Sequence, residues 1–456
     1  MSIVKDLMGM SISTIVNMVL GFIYFPVLTQ LFSYSAAVFG RFQHIQSLAT
    51  IIVSFSILSI DLAFISSKRE HSRKECSQAF SAIVTSGLTV LSSSIALLYS
   101  MSFFGFVELD SGIVISVLAI GTATIIERAF FALFKDKRLF SEIAISGIIR
   151  SVAVPTFGIA ISLFMRNEYV LAISYSASHF LSAVFFLLRT KKHNITIELR
   201  FSIRLVIKTV LAEKNVTFFA TATGLVNNLY HNIPVFLIKR LFDASLLGFY
   251  SISMRLLGTA NRLLSLALYE TFLPYFSKSE EHRIKIISLF PTLASVFFLF
   301  FLPISLLSDW YVPMLFGTDF TPVAHVISVI VAWLFSQTLV GPYTGIPLVY
   351  RRSDISLKLN IVALFARILG FYFGKALAGY EGALYSIAFV SMFVYQTYLY
   401  LALKLSKQLS WRQPGILLLY QAGLVLTSIA GSAKYLSCLL LFPAAIIIYR
   451  NRELFL

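Results

Sequence analysis

The sequence predicts an all-α integral membrane protein of about fourteen transmembrane helices, and three observations carry that expectation. Of 456 residues, 58% are hydrophobic and only 13% charged, about half the charged share of a soluble globular chain. The apolar residues gather in continuous stretches of about 20, long enough to cross a bilayer as helices. They do not alternate with polar residues, which excludes a transmembrane β-barrel, so the backbone in lipid must satisfy itself within helices.

In chain order the spans fall at about 9–32, 41–66, 79–100, 111–134, 140–165, 168–188, 215–238, 247–268, 286–308, 322–350, 355–375, 381–404, 413–431 and 434–449. The first follows SIVKDLMGM without a small-residue cleavage site, so it reads as its own insertion signal. The tenth is long and broken by Gly341, Pro342, Gly345 and Pro347, and the last two are short. Between spans six and seven lies the longest loop, Arg189–Lys214. Its segment FSIRLVIKTVLA, 201–212, puts Arg204 and Lys208 on one face and belongs in the membrane interface.

Lys and Arg orient the chain. They crowd into alternate loops, at Lys68–Lys74, Lys135–Arg138, Arg189–Lys214, Lys278–Lys285, Arg351–Lys358, Lys404–Arg412 and Arg450–Arg452, while the opposite loops hold few. The positive-inside rule puts the rich loops and both termini in the cytoplasm. This placement also disposes of a nucleic-acid reading of the +16 net charge, because no soluble domain concentrates it. Two cysteines, Cys76 and Cys438, make neither a disulfide framework nor a metal site. No Gly-rich phosphate loop, ATPase motif or metal-spaced His and Cys occurs, so no enzyme and no cofactor are expected.

What stands out is charge inside apolar helices. Span eight begins GFYSISMRLLGTANRLLSLALYETFLPYFSK at Gly248. Arg255 and Arg262 lie seven residues apart, two turns along one helix face shared with Ser251, Thr259, Ser265 and Tyr269. Each charge facing lipid costs about 2.5–3.5 kcal/mol, so the stripe should face water or an anion. The alternative for Arg262 is snorkelling to the headgroups. Arg150 in span five and Arg367 in span eleven are similarly deep. In span seven Thr217, Thr221, Gly224, Asn228 and His231 share a face, suited either to interhelical hydrogen bonds or to sugar hydroxyls. Glu127 and Arg128 read as a local pair, Asp61 and Glu270 as helix-end or gate residues, and His179 as a packing histidine. His231, beside Asn232 and Pro234, is the better protonatable candidate.

The segment from Gly40 to Lys68 and that from Gly248 to Lys278 form a weak internal repeat, each running from an outer turn through one span to a lysine. SYSAAVFGRFQHIQSLATI and SIDLAFISSK, LLGFYSISMRLLG and FLPYFSK, and LFGTDFTPVAHVISV together resemble the polysaccharide flippases of the MOP exporter superfamily, the Wzx-type O-antigen translocases. The family's usual Asp-Leu-Gly reads Asp61-Leu62-Ala63 here. The resemblance implies two six-helix lobes around a central cavity, here 1–190 and 215–404, joined by the linker 191–214 and followed by two extra helices in 405–456. It implies a bacterial inner-membrane protein carrying an undecaprenyl-pyrophosphate-linked oligosaccharide by ion-coupled alternating access, with membrane lipid, a polysaccharide polymerase and a chain-length regulator as partners.

On that footing Arg150, Arg255, Arg262 and Arg367 are substrate contacts, since a guanidinium binds phosphate oxygens bidentately. Asn228 and His231 join them as glycan contacts, and Asp61, Glu127, Arg128 and Glu270 are the ion or gating candidates. The competing reading of the deep arginines is structural ion pairing with Glu127, Glu142 or Asp61. Rival functions are a lipid-linked peptidoglycan precursor flippase or a cation-coupled drug exporter of the same superfamily, and a polymerase or ligase. An acidic cavity would suit the drug exporter, and the last class wants a large outer loop, which the sequence lacks.

Overall fold

The structure is a computed structural model that describes residues 16, 19–61, 64, 72–103, 110–195, 197–212, 214–278, 280–350, 352–408, 411–428 and 431–450. It is all-α, with no strand among the described residues. It divides into two compact units, residues 1–239 with 243–247, and residues 240–242 with 248–456. Among the described residues, seven helices are individually long and apolar enough to cross a membrane.

The first unit holds α1 (Val19–Phe32), α2 (Ala36–Ser56), α3 (Arg73–Phe103), α4 (Ser111–Asp136), α5 (Phe140–Ser162), α6 (Glu168–Lys192), α7 (Ile203–Ala212) and most of α8 (Lys214–Leu241). Side chains start these helices where the sequence supplies caps. Asp110 accepts from Ile113 N at 2.7 Å to begin α4, and Asn167 accepts from Tyr169 N and Val170 N to begin α6. α6 packs against both α4 and α5. Its buried face carries Ser174, Ser178 and Ser182, one per turn and all at 0% exposure, and such small residues let helix backbones approach closely.

The second expected span, 41–66, differs from a single helix. α2 begins earlier, at Ala36, and stops at Ser56, and Leu58 and Ser59 take φ of 50° and 48° before the helix resumes at Ile60. Left-handed backbone is costly for residues with a Cβ, and a break inside a membrane frees polar groups. Here Ser86 of α3 donates its hydroxyl to the Ser56 carbonyl at 2.6 Å, which satisfies one of them.

The linker after α6 is strapped to α3. Ser77 and Ser81 donate to the Glu198 carbonyl at 3.1 and 2.7 Å, while Glu198 N and Arg200 N donate back to the two hydroxyls. Phe201 and, on α7, Ile203, Ile207 and Leu211 are then exposed next to exposed Arg204 and Lys208, the amphipathic pattern expected from the sequence.

The second unit holds most of α9 (Ala244–Lys278), then α10 (Glu280–Ser288), α11 (Phe290–Leu306), α12 (Ser308–Phe316), α13 (Thr321–Val340), α14 (Ile346–Val349), α15 (Ser353–Leu405), α16 (Arg412–Leu426) and α17 (Leu441–Arg450). α13 is apolar all round and buried along almost its whole length, as a central helix must be. It gives way at Gly341 to a 3-10 turn, Gly341–Gly345, where the sequence placed its Gly and Pro interruptions. The last expected span, 434–449, is split into a 3-10 stretch, Gly431–Leu440, followed by α17.

Spans eleven and twelve are the two arms of α15, folded back at Ala378 and Gly379, the latter at φ 59°. The arms nearly touch: a Cβ on Gly374 would overlap the Gly382 carbonyl, and one on Gly370 would press on Val390. Only glycine permits that approach.

Candidate functional site

Unit 1 buries a carboxylate among three helices. Glu127 of α4 lies nine residues before the end of its helix, about 13 Å along, and Arg150 of α5 lies about 15 Å from the start of its own. Arg150 Nη1 donates to Glu127 Oε1 at 3.1 Å and to Oε2 at 3.3 Å. Ser182 of α6 donates to Oε1 at 2.6 Å, and His179 of α6 meets Oε2 through Nδ1. The Ser182 hydroxyl lies 2.5 Å from that of Ser146 on α5. Burying a carboxylate is expensive unless charge and hydrogen bonds compensate it, and here a guanidinium, a hydroxyl and an imidazole do so. The Glu127 and His179 side chains are 7% and 6% exposed, while Arg150 keeps 38% of its side chain open. The cluster therefore holds a charge in the protein interior and presents one partly open cation.

This geometry corrects the local pairing of Glu127 with Arg128. Consecutive residues on a helix point about 100° apart. Glu127 turns inward to Arg150, and Arg128 is exposed. Of the two readings of Arg150, the ion pair with Glu127 is present. His179 is more than a packing residue, because it is bonded to the buried carboxylate.

The other candidates are dispersed. Arg367 is fully buried, donates to Ser391 Oγ from Nε and Nη2 at 3.2 and 2.5 Å, and lies 4.4 Å from the Trp333 ring centroid. Its guanidinium is enclosed by these groups and gives no open contact for an anion here. Arg255 is half-buried, with Nε 3.5 Å from Ser251 Oγ on the previous turn. The side chains of Arg262 and Glu270 lie outside the described residues. Asp61 is half-buried just beyond the break after α2. On α8, Asn228 spends its amide on the Gly224 carbonyl at 2.9 Å, and His231 is half-buried with its ring 5.2 Å from that of Tyr230. Thr217 and Thr221 of the same face are buried.

Glu142, weighed in the sequence as a counterion of the deep arginines, is 5% exposed and instead ties α5 to the end of α6 through Arg189 at 3.2 Å and His193 at 3.0 Å. Two features went unread in the sequence. A cavity of about 190 Å³ lies among Arg41, His44, Asp110, Glu168 and Lys239, where Arg41 pairs with Glu168 at 3.3 Å. In unit 2, an apolar groove of about 390 Å³ runs between Val329, Gly370, Phe373, Phe389 and Val425. The sequence names Glu127 among three possible counterions of the deep arginines, and the serine periodicity of α6 is a further signal for the cluster.

Residues 3–280 match the family described as polysaccharide biosynthesis protein. The lipopolysaccharide biosynthesis protein WzxC of Escherichia coli K12 is 22% identical over 166 residues, 36% of this chain and 34% of that one, so the match spans about a third of that relative's length. Among solved structures, lipid II flippase MurJ in an inward closed conformation aligns over 98% of this chain and 99% of its own, at 13% identity and a TM-score of 0.70. A multidrug resistance MATE family transporter of the MOP superfamily, inward-facing, aligns over 89% and 98% at 11% identity and 0.57. The Vibrio cholerae MATE transporter VcmN aligns over 89% and 99% at 12% identity and 0.55. These likenesses establish a fold common to flippases and exporters, and the family match covers well over half of the sequence. The chain thus belongs to the polysaccharide biosynthesis protein family and has the fold of the MOP-superfamily transporters.

Proposed function

We propose that the chain is a flippase that moves undecaprenyl-pyrophosphate-linked oligosaccharide repeat units of an O-antigen or similar surface polysaccharide from the cytoplasmic to the periplasmic leaflet of a bacterial inner membrane. The observation that carries this reading is deep cationic charge on otherwise apolar helices, Arg150 on α5 and Arg255 on α9, both only partly buried. A guanidinium suits a diphosphate, whose charge would otherwise be stranded away from water. The mechanism is ion-coupled alternating access between two lobes, 1–190 and 215–404, with both termini cytoplasmic. The apolar groove beside Val425 in unit 2 supports a place for the prenyl tail, since its walls are almost wholly hydrocarbon. A polysaccharide polymerase and a chain-length regulator are the partners this activity calls for.

A lipid-linked peptidoglycan precursor presents the same diphosphate, so the arginines alone do not separate the two substrates. A cationic drug is disfavoured, because the partly open charged groups found here, Arg150 and Arg255, are guanidiniums, which donate to anions and offer a cation no acceptor. Deleting the gene should leave lipid-linked repeat units on the cytoplasmic leaflet and abolish the surface polymer. Normal polymer in a deletion strain with no compensating flippase would refute the assignment.

A further inference from the structure

One carboxylate in unit 1 serves two bases. Both oxygens of Glu127 accept from Arg150 Nη1, and Oε2 also meets His179 Nδ1. An ionised carboxylate has no proton to give, so the hydrogen of the imidazole contact sits on Nδ1, an assignment made from the bonding geometry. In the neutral ring the lone pair is then on Nε2. That atom is buried and has no hydrogen-bond partner among the described residues, on a side chain only 6% exposed. A basic nitrogen left open in the interior, with a carboxylate behind its ring, is a place for a proton.

We propose that Glu127 is a counterion shared between Arg150 and His179, and that a proton taken up at His179 Nε2 frees Arg150 to bind a diphosphate oxygen. The anion half rests on the flippase reading, while the proton half stands on this geometry alone. The N–H bond forms with a proton from solvent, and no bond in the protein breaks. With neutral His179 the Glu127–Arg150 pair is electrically balanced. With imidazolium, two cations crowd one carboxylate, and the repulsion between them is strong in a medium of low dielectric. The cation with a way out leaves. His179 is enclosed, its ring 4.6 Å from Tyr175, whereas Arg150 is 38% exposed. Ser182 stays on Oε1, so Glu127 remains satisfied.

The surroundings favour this exchange. α4 adds only the exposed Arg128, and α3 faces α4 there with Phe80 against Phe130. On α5, Glu142 is held by Arg189, Lys192 and His193. α2 presents Phe42 to Tyr175, and its Arg41 is paired with Glu168. Among the described contacts, Glu127 is the one carboxylate that meets His179 or Arg150.

The test uses the full chain in nanodiscs of zwitterionic lipid, labelled with nitrogen-15 in His and Arg. H179Q and R150K assign the signals. On acidification of the folded protein, His179 Nε2 should take up a proton, and the Arg150 guanidinium should lose protection relative to a free guanidinium at the same pH over the same range. In H179Q the Arg150 response should vanish. A dialkyl diphosphate, whose charge is constant over that range, then probes the anion half. Its affinity should rise about tenfold on acidification, stay flat in H179Q, and stand at the higher level throughout in E127Q, a factor equal to about 1.4 kcal/mol. A His179 that never titrates in folded protein, or one that titrates while Arg150 is unmoved, overturns the proposal. If Arg150 is released on schedule yet the diester binds no better, the shared counterion stands and the diphosphate role of Arg150 falls.

Discussion

Replacing Arg150 with alanine separates a structural cation from a substrate contact. The guanidinium meets Glu127 through one nitrogen, at 3.1 and 3.3 Å, in effect a single shared donor. A hydrogen bond to a charged group contributes about 1.5–3 kcal/mol. With 38% of the side chain exposed, solvent screening brings the expectation to the lower end. The loss of about 3–5 kcal/mol seen when a buried charge is left wholly unpaired does not apply, because Ser182 and His179 still hold the carboxylate. R150A should therefore cost about 1–2 kcal/mol, and a cycle with E127Q should return a coupling of about 1 kcal/mol. Reversible unfolding in mixed micelles measures all four proteins. In parallel, surface polysaccharide is scored per folded molecule in a deletion strain. If Arg150 also binds diphosphate, R150A should lower that ratio about tenfold, and R150K should restore it only in part, since lysine lacks the fork. A coupling of zero would refute the ion-pair energetics. Polysaccharide that falls only in proportion to folded protein would refute the substrate contact.

R255A should lower polysaccharide per folded molecule about tenfold at normal protein levels, with partial rescue by lysine, because Arg255 is half-buried beside Ser251. R367A should instead reduce the amount of folded protein, with polysaccharide following it, since Arg367 is buried on Ser391 and Trp333. G374A should destabilise by about 1–3 kcal/mol by driving a methyl into the Gly382 carbonyl, whereas G415A, which meets nothing within 4 Å, should be tolerated. Reporter fusions after Lys74, Lys137 and Lys404 should read cytoplasmic and one after Thr318 periplasmic; a periplasmic signal in the Arg189–Lys214 linker would sink the lobe scheme.

The fold was legible where local chemistry decides it. The Gly341 and Pro342 interruption ends α13, Asp110 and Asn167 cap the helices that follow them, and the apolar and basic faces of 201–212 become α7. The break after Ser56 was not legible, because its freed carbonyl is served by Ser86, thirty residues away on another helix. The site divides the same way. Depth along a helix marked Arg150 and Arg255 as unusual and offered Glu127, Glu142 and Asp61 as counterions, but no local rule chooses among them. Adjacency offered Arg128 to Glu127, whereas the packing of α4, α5 and α6 offers Arg150, His179 and Ser182. His179 looked inert because its sequence neighbours are mostly apolar or small, and its partner lies 52 residues away.

The folded-back α15 constrains how the protein can move. Its arms meet backbone to backbone at Gly374 and Gly382, with Ser386 and Val390 of the second arm seated on Gly374 and Gly370 of the first. Sliding one arm past the other would drive Val390 and Ser386 off Gly370 and Gly374 and against neighbouring residues that carry a Cβ. The hairpin is therefore a stiff beam, and a change of access in this unit must swing both arms together. The flexing falls to the beam's free ends, before Ser353 and after Leu405, so a disulfide staple between the arms should leave transport untouched while a staple at either end should arrest it.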